Sequence, residues 1–381
     1  MKFTLEQTPE RIEAIRALGS RDKVTSENAQ SAFAAFIGPV VQEVLLQAGT
    51  ANQIYSSQRF DEDSDPSIPV DLYYGVDAGY ITVWSQTWGG GLPTNFVGGM
   101  REIKVSTYTL DTAVSLYKKY ARKARLDVIA KLIERAANEV LLKQERNAWA
   151  VLLMALAEGS TQGTKHVIRA GTAGVFQIDD LNKMFTLSRR INAAYTGGTP
   201  ESFNSKGLTD IFVSPEIKEQ VRGFAYQPMN TRIGPTVAGS TLANYTASNA
   251  IPLPDAVRTE IFRNAGASEI YGVTIHEMLE LGKSKAYNTL FDTFAGSISY
   301  TKADGTGGAV FDGANEQIVV GIDSGRDFAI QMLAQGADNG QVLRWEVDDQ
   351  HTIRSDKFGW FAGIEEGRVI LDSRPLTGLI V

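Results

Sequence analysis

Three histidines, His166, His276 and His351, are the residues best suited to proton transfer or metal binding in this sequence. Each stands alone, without a second histidine or a cysteine at ligand spacing. His276 begins the segment His-Glu-Met-Leu-Glu, where Glu280 takes the place of the second histidine of a zinc-protease helix. The pattern favours surface histidines or hydrogen-bonded core histidines, and it predicts no metal site.

Two acidic segments contain residue types that also occur in calcium loops and catalytic clusters. Residues 304–313 carry two aspartates among several glycines, but they lack the alternating oxygen ligands and the final glutamate of an EF-hand. Asp348 and Asp349 stand near His351, although adjacent charges on a turn are usually solvated. We therefore predict a hairpin turn for the first segment and no catalytic role for the second.

No nucleophile motif or phosphate-binding motif accompanies these residues. The chain has no cysteine, which excludes disulfides, thiolate metal sites and thiol nucleophiles. It contains neither a Walker loop nor a G-x-S-x-G elbow, and the glycine run 89–91 lies between predicted strands rather than before a helix. We predict no catalytic residue and no cofactor. The alternative from another class is a cytoplasmic α/β enzyme that uses carboxylates.

Charged segments offer a different kind of chemistry, namely ion pairing with another molecule. An acidic segment at residues 61–65 and a basic segment at residues 118–125 stand out. Both could be solvated charge runs, and the basic segment could also bind packaged nucleic acid. Our preferred hypothesis is that the basic segment of one subunit pairs with the acidic segment of its neighbour. The residues predicted to make this contact are Asp61, Glu62, Asp63, Lys118, Lys119 and Arg122.

Aromatic side chains mark a second predicted contact. Tyr80, Trp84 and Trp88 fall on one face of a predicted strand because strand side chains alternate. Aromatic residues are enriched at interface hot spots. An ordinary strand core is the equally weighted alternative, and our hypothesis is that all three contact a neighbouring subunit.

The elements that would position these residues can be predicted from periodicity. Residues 126–157 carry an apolar stripe with acid-before-base pairs four apart, which predicts one long helix. The first 66 residues predict short amphipathic helices, with Gly38 and Pro39 breaking or kinking the second. Short helices are marginal alone. We expect them to lie on another surface, which could belong to a neighbouring subunit.

The rest of the chain predicts a mixed fold. Residues 68–110 read as a long two-stranded loop that also needs a surface, because an isolated ribbon is marginal in water. Residues 179–195 predict a helix, residues 210–213 a buried strand, and residues 228–256 an extended loop. Further strands are predicted near 268–275, 296–301, 317–322, 327–333, 358–364 and 368–371.

The length, charge and apolar content of the chain limit its domain number and the kinds of partner that it can bind. The chain has 381 residues, which suggests two or three domains. Its net charge is -7 and its pI is about 5.2, so it is not a general nucleic-acid binder. The longest apolar run, residues 148–157, is far short of the roughly 18 residues that a membrane span needs. We therefore expect no membrane partner.

The order of these parts resembles that of HK97-fold major capsid proteins of bacteriophages. The resemblance rests on architecture across nearly the whole chain rather than on a sharp motif. It implies an α+β fold with an N-terminal arm, an extended β-hairpin loop, a long spine helix, a peripheral sheet and an axial α/β domain. The corresponding residues are 1–66 for the arm, 67–110 for the loop, 111–177 and 346–381 for the peripheral domain with spine helix 126–157, and 178–345 for the axial domain.

This resemblance implies a shell-building function. Copies of the chain would form pentamers and hexamers of an icosahedral virion capsid around the double-stranded DNA of a tailed phage, with loose, non-specific DNA contact. Assembly would take place in the host cytoplasm, and a procapsid would mature into the final shell. Because the arm holds no long charged coiled coil, we expect a separate scaffolding protein, with a portal and optionally a decoration protein. No covalent crosslinking pair is predicted. An encapsulin-type nanocompartment shell is the closest alternative.

Overall fold

A computed structural model describes residues 9–69, 102–123, 125–160, 165–196, 207–223, 269–325, 327–336, 340–348 and 356–381. The chain divides into two compact units, each with its own cluster of buried apolar side chains. The first unit comprises Met1–Leu72, Met100–Trp149 and Ala329–Leu371, and the second comprises Tyr73–Gly99, Ala150–Phe328 and Asp372–Val381.

Helices and strands are mixed along the chain, as in an α+β fold. In chain order the helices are α1 (Pro9–Leu18), α2 (Lys23–Gln47), α3 (Lys118–Arg122), α4 (Leu126–Gly159), α5 (Ile178–Thr196), α6 (Pro215–Gly223) and α7 (Ala286–Ala295). The strands are β1 (Ser56–Asp61), β2 (Ser67–Pro69), β3 (Glu102–Lys104), β4 (Tyr108–Tyr117), β5 (Val167–Arg169), β6 (Asp210–Val213), β7 (Glu269–Ile270), β8 (Val273–Glu277), β9 (Ser299–Tyr300), β10 (Ala309–Val310), β11 (Ile318–Ile322), β12 (Ala329–Gln335), β13 (Leu343–Val347), β14 (Lys357–Ile370) and β15 (Leu376–Ile380).

The first unit is built on β14, a strand of 14 residues that pairs along both edges. On one edge β4 pairs antiparallel with it, from Tyr108 opposite Glu366 to Tyr117 opposite Lys357. On the other edge β12 and β13 pair with successive stretches of β14, and β1 extends the sheet by pairing parallel to β12. Three strands therefore pair directly with β14, and β1 joins the sheet through β12.

The two faces of this sheet differ, because successive side chains of a strand point to opposite sides. On one face, Phe358, Trp360 and Ile364 of β14 are buried in a cluster with apolar side chains of α1, α2 and α4. On the opposite face, β14 carries Gly359 and Gly363, with polar residues from its neighbours. The apolar face makes the core, and the polar face is left for other contacts.

The N-terminal helices lie on the core of their own chain. Ile15 and Leu18 of α1, and Ile37, Val41 and Leu45 of α2, are buried in the same cluster as the sheet. The sequence allowed a neighbouring subunit to provide their surface. For these side chains the surface belongs to the same subunit.

Of the predicted break or kink at Gly38 and Pro39, the break is wrong, since α2 continues through both residues. Proline inside a helix costs about 3 kcal/mol, because it removes a backbone hydrogen bond and crowds the preceding turn. Pro39 is exposed, so water can reach the carbonyl group that loses its partner. Val41 and Leu45 beyond it are buried, and their burial stabilises the last turns of the helix.

A buried carboxylate joins the elements around β14. The Glu366 side chain is fully buried, and Tyr108 Oη donates a hydrogen bond to its Oε1 over 2.7 Å. Its Oε2 accepts hydrogen bonds from Gln144 Nε2 of α4 at 3.1 Å and from Gln331 Nε2 of β12 at 2.8 Å. Arg368 Nη2 donates to the same oxygen at 3.1 Å. This carboxylate therefore connects β4, α4, β12 and β14.

The environment of Glu366 also fixes the protonation of its tyrosine partner. Burial raises the pKa of Tyr108, and the negative charge of Glu366 raises it further. Tyr108 therefore remains a hydrogen-bond donor at every physiological pH. The Arg368 guanidinium, which supplies the opposite charge, lies 5.1 Å from the ring centre of Tyr55.

The second unit has its own six-stranded sheet, in the order β5-β15-β11-β6-β8-β7. All five residues of the central strand β11 are buried. Helices α5 and α6 add Leu181, Met184, Ile217 and Val221 to the core of this unit. This is a mixed α/β arrangement, as predicted for this part of the chain.

His166 lies in the second unit and is fully buried. Its Nδ1 donates a hydrogen bond to the carbonyl oxygen of Leu376 over 3.0 Å. Burial lowers the pKa of His166, since the charged imidazolium loses its hydration. His166 is therefore the hydrogen-bonded core histidine that the sequence favoured.

Most predicted elements are confirmed. The predicted helices at residues 126–157 and 179–195 are α4 and α5, and the strand at residues 210–213 is β6. The base of the predicted two-stranded loop is present, because β2 and β3 pair antiparallel. The two predicted tail strands form the single strand β14, while β1, β5, β13, α7 and β15 were not predicted. Residues 70–101 and 228–256 lie outside the described residues.

Replacing Glu366 tests whether the buried carboxylate holds the first unit together. Glu366→Gln should lower the free energy of unfolding by roughly 3–5 kcal/mol, because it leaves the Arg368 charge buried without its counter-charge. Urea denaturation followed by tryptophan fluorescence measures the change. The matched control is Glu365→Gln at the adjacent, partly exposed position, and equal stability of the two variants would contradict this role.

The buried histidine predicts a specific pH dependence. His166 stays neutral in the folded chain but takes up a proton in the unfolded chain below its ordinary pKa of 6.5. Stability should therefore fall as the pH drops below that value, by at most about 1.4 kcal/mol per pH unit. His166→Asn keeps a donor for Leu376 but does not titrate. Thermal melts of both proteins between pH 7.5 and 5.5 should show a steeper loss for the wild type, and parallel slopes would exclude His166 as the cause.

Candidate assembly surface

The acidic segment, residues 61–65, begins at the last residue of β1 and forms an exposed turn. Ser64 closes this turn by donating hydrogen bonds from its backbone N and its Oγ to the Asp61 carbonyl oxygen, at 2.8 and 2.9 Å. Asp65 pairs with Lys104 at 3.4 Å, and both side chains are highly exposed. Asp61, Glu62 and Asp63 are exposed as well.

The basic segment, residues 118–125, begins with α3 directly after β4. Arg122 has partners within the chain: its Nη2 lies 3.0 Å from Asp356 Oδ1, and its Nε donates to the Gly19 carbonyl oxygen over 2.7 Å. Lys119 is exposed and Lys118 is half-buried. Arg122 therefore holds the end of α1 against α3. The predicted contact with a neighbouring subunit would be a second role.

The two charged segments do not pair with each other in the described part of the subunit. Arg122 pairs with Asp356, and Asp65 pairs with Lys104. The predicted contact between subunits stays a prediction for Asp61, Glu62, Asp63, Lys118, Lys119 and Arg122. Tyr80, Trp84 and Trp88 lie outside the described residues.

The polar face of the first sheet carries a groove that sequence reasoning missed. Its volume is about 320 Å³, and its lining residues come from β4, β12, β13, β14 and the loops beside them. Four carboxylates and one guanidinium line it, namely those of Glu62, Asp111, Glu346, Glu365 and Arg344. Arg344 Nε is 4.0 Å from Glu346, and its guanidinium carbon lies 5.2 Å from the ring centre of Phe361. The groove therefore carries an excess of negative charge.

A glycine provides part of the groove floor. Gly363 lies directly opposite Asp111 in the ladder between β14 and β4. A Cβ atom at Gly363 would stand 2.7 Å from Asp111 Oδ1, so the carboxylate of Asp111 reaches over the glycine. These acids are far apart in sequence, and only the register of β4, β13 and β14 brings them together. The alternation of apolar and charged residues along β13, which carries Arg344 and Glu346, was the available signal.

The candidates for catalysis or metal binding have structural roles. His276 Nε2 lies 3.0 Å from Asp210 Oδ1, and its ring stacks on Phe212 at 4.9 Å between ring centres. Asp304 Oδ1 accepts hydrogen bonds from Thr306 within the turn between β9 and β10, as predicted for a hairpin. Asp349 and His351 lie outside the described residues.

Among the side chains that the structure describes, no three histidine, aspartate or glutamate residues converge as a metal site would require. None of the described helices combines the length and the apolar character needed to cross a membrane.

Comparison with solved structures identifies the fold. The capsid of the cyanophage P-SCSP1u superimposes with a TM-score of 0.50 at 10% identity, over 87% of this chain and 88% of that chain. The chain has the HK97 capsid fold. The expected α+β fold class is thereby confirmed.

Other solved chains of the HK97 type show weaker similarity. A chain of Microbacterium phage Oxtober96 has a TM-score of 0.47 at 13% identity and covers 88% of this chain and 91% of its own. The holo-SrpI encapsulin complex of Synechococcus elongatus PCC 7942 has a TM-score of 0.42 at 9% identity, over 86% of this chain and 85% of that chain. No protein-family model matches the sequence, and the comparison with curated proteins gave no match.

Alanine substitutions at two glycines of β14, Gly359 and Gly363, test how the strands pack on the polar face of the sheet. A Cβ atom at position 359 would stand 2.8 Å from the Val114 carbonyl oxygen, which belongs to the backbone of the paired strand. Gly359→Ala should therefore destabilise the protein by about 1–3 kcal/mol. Gly363→Ala meets only the movable end of the Asp111 side chain and should change stability by less than about 0.5 kcal/mol. Urea denaturation of both variants compares them, and the reverse order would contradict the described register.

Proposed function

We propose that this protein is a capsid shell subunit, with a structural rather than a catalytic role. The observation that supports the proposal is the superposition on the cyanophage capsid over most of both chains. The polar, concave face of the first sheet and the charged segments beside it provide surfaces on which a second subunit could bind. No other function has a comparable structural basis here.

In its full form, the proposal is a tailed-phage virion shell around double-stranded DNA. Copies of the chain would form pentamers and hexamers, with residues 178–345 as the axial domain and residues 111–177 and 346–381 as the peripheral domain. A scaffolding protein, a portal and a decoration protein are the proposed partners in the host cytoplasm. The negative net charge of -7 supports only loose contact with DNA.

The proposed contacts between subunits use both kinds of residue found in the sequence. The acidic turn carries Asp61, Glu62 and Asp63, and the basic segment carries Lys118 and Lys119, all without a described ion-pair partner in their own chain. Arg122 would add to the contact only with the donors that remain after it pairs with Asp356. Tyr80, Trp84 and Trp88 would supply the apolar part of the contact.

Electron microscopy of the purified protein tests the proposed function. We expect closed particles of uniform diameter, or rings that close into such particles when polyethylene glycol is added as a crowding agent. Analytical ultracentrifugation should show the same material as assemblies of many subunits. A monomer at every protein concentration and under crowding would overturn the proposal. Nucleic acid inside the particles supports the phage shell, and a bound cargo protein supports the encapsulin alternative.

A further inference from the structure

We propose that the acidic groove on the polar face of the first sheet binds the basic segment, residues 118–125, of a second copy of this chain. The inference rests on the proposed shell function, because it names the partner surface through which two subunits meet. It differs from the pairing expected from the sequence, in which the acidic turn at residues 61–65 alone receives the basic segment.

The groove has the shape and charge of a receptor for a cationic segment. It is a concavity of about 320 Å³ on a sheet face whose opposite side is fully used by the core. Four carboxylates surround it against a single guanidinium, and that guanidinium already contacts Phe361. An incoming lysine could pair with the carboxylate of Asp111, which lies over Gly363 on the groove floor.

The basic segment has the complementary charge. It holds five cations within eight residues, of which only Arg122 pairs with a described carboxylate of its own chain. Lys119, Lys123 and Arg125 are exposed, and Lys118 is half-buried. The long side chains of lysine and arginine can span the depth of a groove while their aliphatic parts cover its apolar rim.

The segment and the groove of one subunit are too far apart to satisfy each other. Asp111 lies in the groove, and α3 begins after the end of β4, six strand residues further on at Tyr117. At about 3.3 Å per residue this separation is roughly 20 Å, well beyond the 4 Å limit of an ion pair. The occupant must therefore come from another copy of the chain.

A contact between two different surfaces of identical subunits has a geometric consequence. Such a head-to-tail contact can be repeated from copy to copy, and it closes into rings when the rotation between subunits allows. Rings of this kind are what the proposed shell requires. Nucleic acid is a poor occupant for the groove, since phosphates would meet the excess of carboxylates.

Charge reversal on each side, followed by a swap, tests the proposal in the full chain. The groove variant is Asp111→Lys with Glu365→Lys, and the segment variant is Lys119→Glu with Lys123→Glu. Each alone should lower the fraction of subunits in shells roughly tenfold or more, because like charges then face each other across the contact. The chain with all four changes should regain assembly, since the attraction is restored with opposite sign. Assembly is measured by sedimentation and electron microscopy, and folding by circular dichroism.

One control variant distinguishes the groove from the acidic turn. Asp61→Lys with Asp63→Lys reverses the acidic turn and leaves the groove unchanged. Normal assembly of this control beside failure of the groove variant supports the groove as the receptor, and the opposite result overturns the proposal in favour of the acidic turn. Loss of assembly in the groove variant without recovery in the swapped chain also overturns it. If the wild type forms no shells, the proposed function fails, whereas shells formed by every variant refute the groove alone.

Discussion

The arrangement of strands and helices in the first unit depends on one buried carboxylate. Glu366 accepts hydrogen bonds from β4, α4, β12 and β14 at one point, and it is charge-compensated by Arg368. Burying a carboxylate is costly unless it is paired and hydrogen-bonded. If one of the elements that supply its partners moved away, the carboxylate would lose a hydrogen bond, and the cost of burying it would no longer be offset. The register of the sheet, and every surface that depends on it, follows from this requirement.

The two faces of the long strand β14 have different roles. Phe358, Trp360 and Ile364 on one face make the core with the N-terminal helices, which is why those helices need no neighbour for their apolar side. The other face is released from packing, and its central strand carries Gly359 and Gly363 between charged neighbours. A subunit built in this way is folded by one face and can meet its copies with the other.

The described residues that the sequence singled out as candidates for catalysis have structural roles. His166 and His276 serve as hydrogen-bonded structural residues, and the Asp304 turn caps its own backbone. Charged side chains of the described surface include two clusters, the acidic groove and the basic segment. Surface charges of this kind contribute specificity and association rate more than raw affinity. Under the proposed shell function, weak and directional contacts of this type would let many copies meet in one arrangement.

Periodicity alone determined the elements with long, regular patterns, such as α4, α5 and β6, and the order of the predicted parts along nearly the whole chain resembled that of HK97-fold capsid proteins. It failed at Pro39, because the burial of Val41 and Leu45 that keeps α2 intact is a property of the packed core. It also missed Glu366 and the groove, whose partners are brought together by strand register across more than 200 residues. Local propensity depends on residues that are neighbours in the sequence. The acidic groove exists only after the strands pair, because its carboxylates come from Glu62, Asp111, Glu346 and Glu365.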